Sequence, residues 1–385
     1  MKVLLLTPYS PLLTHDHAAN DIALPLVTAL AKLVDLHVYA PGQHHGTLTT
    51  WRVDGVTYYS GSPVRLRQID RFDTYPYAAR GSWSRRSTSE STAIAKLIKP
   101  DILHAEYSQT AEPLLRSVGP APTSIMLHDL PGEVAVRPRD ELSALRYWLQ
   151  RLERAKTLRL RDAILERIDG LFVFSERDKA KAARSRGAVD VAPVGVSVPA
   201  EGWAGNRAHT AAFGGALWRL ENEVTAVYLA REVMPLVRAQ IPDAELRIFG
   251  ARPSPDVRAL GSDPGVTVVG EVEDYDAEFR NAAVTLAPTM VDAGILMKAI
   301  RAMAMGCPVV LNPASAGPIA GLNDGEHALV GDSPADIARH VVTLINSREY
   351  AGNLGRSARG LVQAHFSWQR TVEVYLTMWR RLLGE

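Results

Sequence analysis

Lys298 and Arg301 stand three residues apart in the stretch 284–313, VTLAPTMVDAGILMKAIRAMAMGCPVVLNP, which reads strand, loop, helix, strand. Residues 284–288 are a short β-rich run closed by Pro288. Asp292 can cap a helix that starts near Gly294 and Ile295. Gly306 ends it, and the apolar run 308–311 resumes as a strand. A helix start presents unpaired N–H groups and the positive end of a dipole, which suits phosphate. Lys298 and Arg301 share one face of this helix, and like charges side by side repel unless water or an anion separates them. The pattern fits a diphosphate site. It fits equally a solvated basic face on an ordinary α/β helix.

Other residues stand where strands end. Gly214 and Gly215 follow a strand-like run and precede Trp218 and Arg219. Two glycines there either let backbone approach a phosphate or make a plain βα turn. His128, followed by Asp129, ends another strand-like run, and is either a functional imidazole or one satisfied by a neighbouring backbone group. The loop 9–20 after the first strand carries His15, Asp16, His17 and Asn20. Three adjacent ligand types rarely converge on one ion, so no metal is expected there. Glu106 and Tyr107 follow the strand-like run 102–104. Glu271 follows the run 266–269.

The elements that must position these residues alternate. Strands are expected at 3–7, 36–39, 102–104, 123–127 and 171–175, with helices at 21–33 and 176–185. A second series follows: strands at 210–213, 246–249 and 266–269, and a long helix at 223–240. Near-continuous apolar strands between helices imply a parallel, doubly wound sheet in each half. Residues 60–90, rich in Arg, Tyr, Ser and Gly, break the alternation and read as an irregular excursion. The run PVGVSVPA at 193–200 reads as a linker. The chain of 385 residues is long for one core, so two domains are expected, 1–198 and 199–369, with ligand at the carboxyl ends of the strands.

Composition excludes several classes. Hydrophobic content of 46% with 22% charged residues describes a soluble globular protein, and a net charge of +1 gives no pull toward nucleic acid. The lone Cys307 excludes internal disulfides and a cysteine-based zinc site. The apolar run at the N-terminus is too short for a signal peptide, and a cytoplasmic location is expected. The segment 137–161 holds eight basic and three acidic residues, with Leu142, Leu145, Leu149 and Leu152 at helical spacing and Trp148 nearby. It is either an interfacial helix drawn to anionic lipid, giving a peripheral membrane contact, or a helix packed on the sheet with a solvated basic face.

The stretch 284–313 also resembles the donor-binding motif of family-four retaining glycosyltransferases, which have the GT-B fold. Gly294, Lys298, Ala302, Met303, Ala304, Gly306, Pro308, Val309 and Val310 match that motif in register. Its two glutamates fall at Ala293 and Arg301. The resemblance implies an N-terminal acceptor domain and a C-terminal donor domain facing a cleft, with the last helix, 370–385, crossing back to the first. It implies a donor site from Gly214, Gly215, Glu271, Asp292, Ala293, Gly294, Ile295 and Arg301. It gives Lys298 and Arg219 the leaving diphosphate and His128 the transferred sugar. His15, Asp16, His17, Asn20 and Tyr107 then fall on the acceptor side. His15 to Asn20 stand where the family usually carries a Gly-Gly pair.

The expected activity is retaining transfer of a sugar from a nucleotide diphosphate to a hydroxyl acceptor (a small molecule, glycan or lipid-linked one), with no metal or other cofactor. Arginine cannot accept ribose hydroxyl hydrogen bonds as glutamate does. Arg301 therefore admits a second reading, a sugar-phosphate donor such as phosphoribosyl pyrophosphate. A catalytically inactive GT-B partner protein and a sugar-nucleotide epimerase are further readings.

Overall fold

A computed structural model gives residues 1–11, 20–42, 48–116, 119–132, 137, 143–291 and 295–385. The chain divides into two compact units. The first comprises Met1–Val134, Pro138–Gly195 and Trp368–Glu385, and the second Ala135–Arg137 and Val196–Ser367.

The first unit is built on eight strands: β1 (Lys2–Leu6), β2 (Asp35–Pro41), β3 (Thr49–Val53), β4 (Val56–Gly61), β5 (Ile102–Glu106), β6 (Thr123–Met126), β7 (Gly170–Val173) and β8 (Ala188–Val191). Their order is β3-β4-β2-β1-β5-β6-β7-β8, parallel except for the hairpin strand β3. The middle strands β5, β6 and β7 are buried along their whole length, so the polar residues His104, Glu106, Thr123 and Ser124 on β5 and β6 need partners inside the fold. The C-terminal helix Trp368–Leu383 belongs to this unit and packs on the helix Asn20–Leu30 and on β7 and β8.

The second unit has six parallel strands: β9 (Arg207–Gly214), β10 (Glu245–Phe249), β11 (Val266–Gly270), β12 (Ala282–Leu286), β13 (Val309–Leu311) and β14 (Leu329–Val330). Their order is β11-β10-β9-β12-β13-β14. Both units are thus α/β, doubly wound and Rossmann-like. Strand order reverses between β1 and β5 in one and between β9 and β12 in the other. In open α/β sheets, ligands bind beyond the carboxyl ends of the strands at such reversals.

Three expectations are corrected. Residues 60–90 are ordered rather than irregular. They hold a 3₁₀ turn, Gln68–Phe72, a short helix, Tyr77–Arg80, and the start of the helix Arg85–Ile98. Arg80 is buried there and donates to Asp73 and to both oxygens of Glu112, while Trp83 Nε1 donates to Thr88. A buried charge persists only when paired, and this one is paired twice. The helix expected at 223–240 is three segments: Leu220–Tyr228, a π turn at Leu229–Val233, and Met234–Arg238. Pro235 lacks an N–H and would clash with the carbonyl four residues before it, and the wider turn absorbs the misfit. The helix expected at 176–185 spans only Glu176–Lys181.

Candidate functional site

In the first unit, β5 brings polar residues to its carboxyl end. His104 and Glu106 are two apart in a strand and therefore share a face. His104 Nε2 lies 3.0 Å from Glu106 Oε1, and His128 Nε2 lies 2.9 Å from Glu106 Oε2. Tyr375, on the C-terminal helix, donates its hydroxyl to Glu106 Oε1 at 2.9 Å. From the same helix, Trp379 Nε1 donates to Ser124 Oγ at 2.9 Å, and Ser124 Oγ lies 2.8 Å from His104 Nδ1.

The donor inventory orients this chain. Indole nitrogen only donates, so Ser124 accepts from Trp379; the Glu106 carboxylate only accepts, so in a neutral His104 Nδ1 accepts from the Ser124 hydroxyl. His104 then carries its proton on Nε2, toward Glu106. The carboxylate accepts three donors, from His104, His128 and Tyr375. Burial pushes the Glu106 carboxyl up, but the hydrogen bonds from His104 and His128 reverse this and hold it at about 2. In a neutral His128 the proton is on Nε2, toward Glu106, which leaves Nδ1 as an acceptor.

Tyr107 follows Glu106 with φ +69°, a region costly for a residue with a Cβ. This turn lays the Tyr107 ring flat on His128, with centroids 3.6 Å apart and planes 12° apart. Tyr9, after β1, meets Tyr107 edge-on at 5.8 Å. The reversal point between β1 and β5 is therefore furnished with Tyr9, Tyr107 and His128.

In the second unit, β9 ends in Gly214. A Cβ on Gly214 would fall 2.6 Å from the Tyr275 hydroxyl, and one on Gly215 would fall 2.9 Å from the Asn222 amide. Gly250, after β10, has φ +130°, and a Cβ there would overlap the Gly215 carbonyl oxygen at 1.8 Å. Glycine is required at Gly250, where backbone meets backbone at a left-handed φ, while at Gly214 and Gly215 side chains crowd the place of a Cβ.

The helix after β12 runs Met297–Ala304. It starts later than expected: Leu296 is its N-cap, with no side-chain cap bond, and Ile295 precedes it. Its first amides are thus those of Met297 and Lys298. Asp292, Ala293 and Gly294 lie outside the described residues, as do His15, Asp16, His17 and the Asn20 side chain.

Lys298 Nζ donates to Asn222 Oδ1 at 2.7 Å and sits 4.2 Å over the Phe213 ring. Burial lowers the ammonium to about 7; Glu221 raises it in part and Arg219 lowers it further. The positive end of its own helix disfavours the cation as well. Arg219 is the N-cap of Leu220–Tyr228 and pairs with Glu221, so it acts on Lys298 through space and not by contact.

Arg301 points elsewhere. Its Nε lies 2.5 Å from Asp276 Oδ1, its Nη2 lies 3.2 Å from Asp276 Oδ2, and its guanidinium lies 5.5 Å from the Tyr275 ring centre. Glu271 is exposed beyond β11, two strands from β9. The structure therefore gathers Gly214, Gly215 and Lys298 at one point. It sets Arg301 beside Asp276 and Tyr275, and leaves Glu271 apart. Asn222 and Tyr275 escape a sequence reading because neither belongs to a motif. His104 and Glu106 left a signal: two polar residues on alternate positions of a buried strand.

Residues 208–347 match the family described as Glycosyl transferases group 1. No curated protein matches the chain in a sequence comparison. Among solved structures, sucrose-phosphate synthase from Thermosynechococcus elongatus superposes with a TM-score of 0.73 at 17% identity, covering 100% of both chains. An α,α-trehalose 6-phosphate synthase from Burkholderia multivorans gives 0.69 at 13% identity, covering 100% of this chain and 97% of that one. An E. coli chain described as trehalose-6-phosphate bound with UDP-2-fluoro glucose gives 0.66 at 12%, covering 98% and 99%. The fold is GT-B, and residues 208–347, which carry Lys298 and the Gly214 turn, match the glycosyl transferases group 1 family.

Proposed function

We propose that the chain is a retaining glycosyltransferase that moves a hexose from a nucleotide diphosphate to a hydroxyl acceptor. The observation that carries this is Lys298. Its ammonium is enclosed, stands in the first turn of a helix, and bonds a neutral amide oxygen. A cation so placed gains most from an anion arriving at the helix N-terminus. The leaving diphosphate is such an anion, and the Gly214–Gly215 turn lets it approach backbone. His128 presents Nδ1 to a hydroxyl of the transferred sugar, and Tyr107 walls the acceptor side.

Arg301 bears on the choice of donor. Its charge is already met by Asp276, so it does not call for an anionic donor group in place of ribose. That favours a nucleotide sugar over phosphoribosyl pyrophosphate. The solved E. coli structure with UDP-2-fluoro glucose supports the same class. No metal is needed where lysine and helix amides meet the diphosphate, so transfer is expected to persist in a chelator.

The test is thermal stabilisation by uridine, guanosine, thymidine and adenosine diphosphates and by phosphoribosyl pyrophosphate. This is followed by NMR of the product formed with the matching sugar donor. A ligand at a hundred times its Kd adds about 2.7 kcal/mol to the folded state. A shift with one nucleotide and an axial product from an axial donor is the expected result. A shift only with phosphoribosyl pyrophosphate, or with none, sinks the reading.

A further inference from the structure

The first unit exposes apolar side chains where a soluble surface should not. Phe72 is 88% exposed, Leu145 70%, Trp148 67%, Ile69 64% and Leu152 46%. Four of the five most exposed large apolar side chains among the described residues are in this group. They come from two segments distant in sequence, the turn Gln68–Phe72 and the helix Ala144–Arg167.

Those segments are fastened together. Lys156 Nζ donates to the Arg71 carbonyl at 2.5 Å, and Glu153 Oε2 accepts from the Tyr77 amide at 2.7 Å. Trp148, Leu152 and Lys156 are four apart and form one row along the helix. The row ends where Lys156 meets Arg71, beside Phe72. Only the later part of the helix is buried, at Lys156, Leu160, Ile164 and Leu165. Its first three turns hold no buried residue, and the exposed row is Leu145, Trp148 and Leu152. Leu149, expected in that row, is partly buried, and Leu142 lies outside the described residues.

Arginines frame the apolar group. Arg65 and Arg67 are exposed on one segment and Arg146, Arg151 and Arg154 on the other. The acids among them are already engaged: Asp70 with Arg67, and Glu153 with Lys156 and the Tyr77 amide.

We propose that this face docks on a bilayer surface rich in anionic phospholipid. Phe72, Ile69, Leu145 and Leu152 enter the acyl boundary, Trp148 sits at headgroup depth, and the arginines bind phosphate oxygens. Charge selects this occupant over a second copy of the chain. A twofold pairing would set arginine face against arginine face, with no free carboxylate between them among the described residues. Among the described residues no helix is long and apolar enough to cross a membrane, so the contact is peripheral. The inference does not depend on the chain transferring sugar.

Flotation of the 385-residue chain with vesicles tests it. Binding is expected to vesicles of phosphatidylcholine mixed with phosphatidylglycerol, not to phosphatidylcholine alone, and it should weaken with salt. Arg146→Gln, Arg151→Gln and Arg154→Gln should each lower the partition constant about fivefold. Phe72→Ser with Trp148→Ser should lower it at least about tenfold. All five side chains are on the surface, and circular dichroism checks that the variants fold. Failure to float with anionic vesicles at low salt overturns the proposal, as does equal flotation of folded variants. A dimer in sedimentation velocity that Phe72→Ser abolishes, without lipid binding, assigns the face to a second copy instead.

Discussion

Glu106 in the first unit and Lys298 in the second are both enclosed charges at the end of a parallel strand series, and burial works against both. Their partners differ. Glu106 receives three side-chain donors, and its carboxyl falls to about 2 despite burial. Lys298 has a neutral amide oxygen and an aromatic face, and its ammonium falls to about 7. A charge whose partners are all supplied by the fold is scaffold. A charge left short of a counterion is where the proposed diphosphate would complete the partners.

The largest effect should come from removing the satisfied charge. Glu106→Ala leaves His104, His128 and Tyr375 donating to nothing and should cost about 3–5 kcal/mol in urea unfolding. The pH dependence follows from the same bonds. The folded carboxyl titrates at about 2 and the unfolded one near 4.5, so its stabilisation is complete above 4.5 and is lost as pH falls toward 2. Glu106→Gln should flatten that acid limb. A cost below about 1 kcal/mol would break the comparison at its first term.

Lys298→Met should behave in the opposite way. Turnover should fall by about a hundred- to a thousandfold, while the melting temperature holds or rises, because an enclosed cation short of partners has been removed. A variant that unfolds while keeping turnover per folded molecule would make Lys298 scaffold like Glu106.

A smaller effect sharpens the same point. The folded Lys298 titrates near 7 against an ordinary 10.5, so the unfolded chain binds more protons between these values and stability rises with pH there. A bound diphosphate restores the charged form. Calorimetry of uridine diphosphate at about pH 8 in buffers of different ionisation enthalpy should then show up to about one proton taken up, and Lys298→Met should abolish the uptake.

The smallest effect belongs to the partly exposed pair of Arg301 with Asp276. Asp276→Asn should cost less than about 1 kcal/mol of stability and change the Kd for uridine diphosphate only a few fold. A large loss of nucleotide binding would mean that this pair holds the ribose.

The second unit was legible because its chemistry is local. Lys298, the helix that carries it and the glycine turn at 214 each belong to a short run whose spacing implies its conformation. The helix start was misplaced because Leu296 carries no capping side chain, so no residue marked it. In the first unit the strands and His128 could be read, but the residues that orient His128 could not. Tyr375 meets Glu106 across 269 residues and Trp379 meets Ser124 across 255. The excursion at 60–90 looked irregular because its order rests on Glu112, beyond its own limits.

Sequence by itself determined what repeats locally: two βα series, their parallel sheets, glycines at a strand end, and a lysine at a helix start. Hydrophobic period and backbone sterics act over a few residues, so they are written in a few residues. Only the tertiary structure decided which charges are satisfied. A buried group is stabilised or left short by partners that the folded chain brings from any distance. That separates Glu106 from Lys298, and it also turned Arg301 toward Asp276.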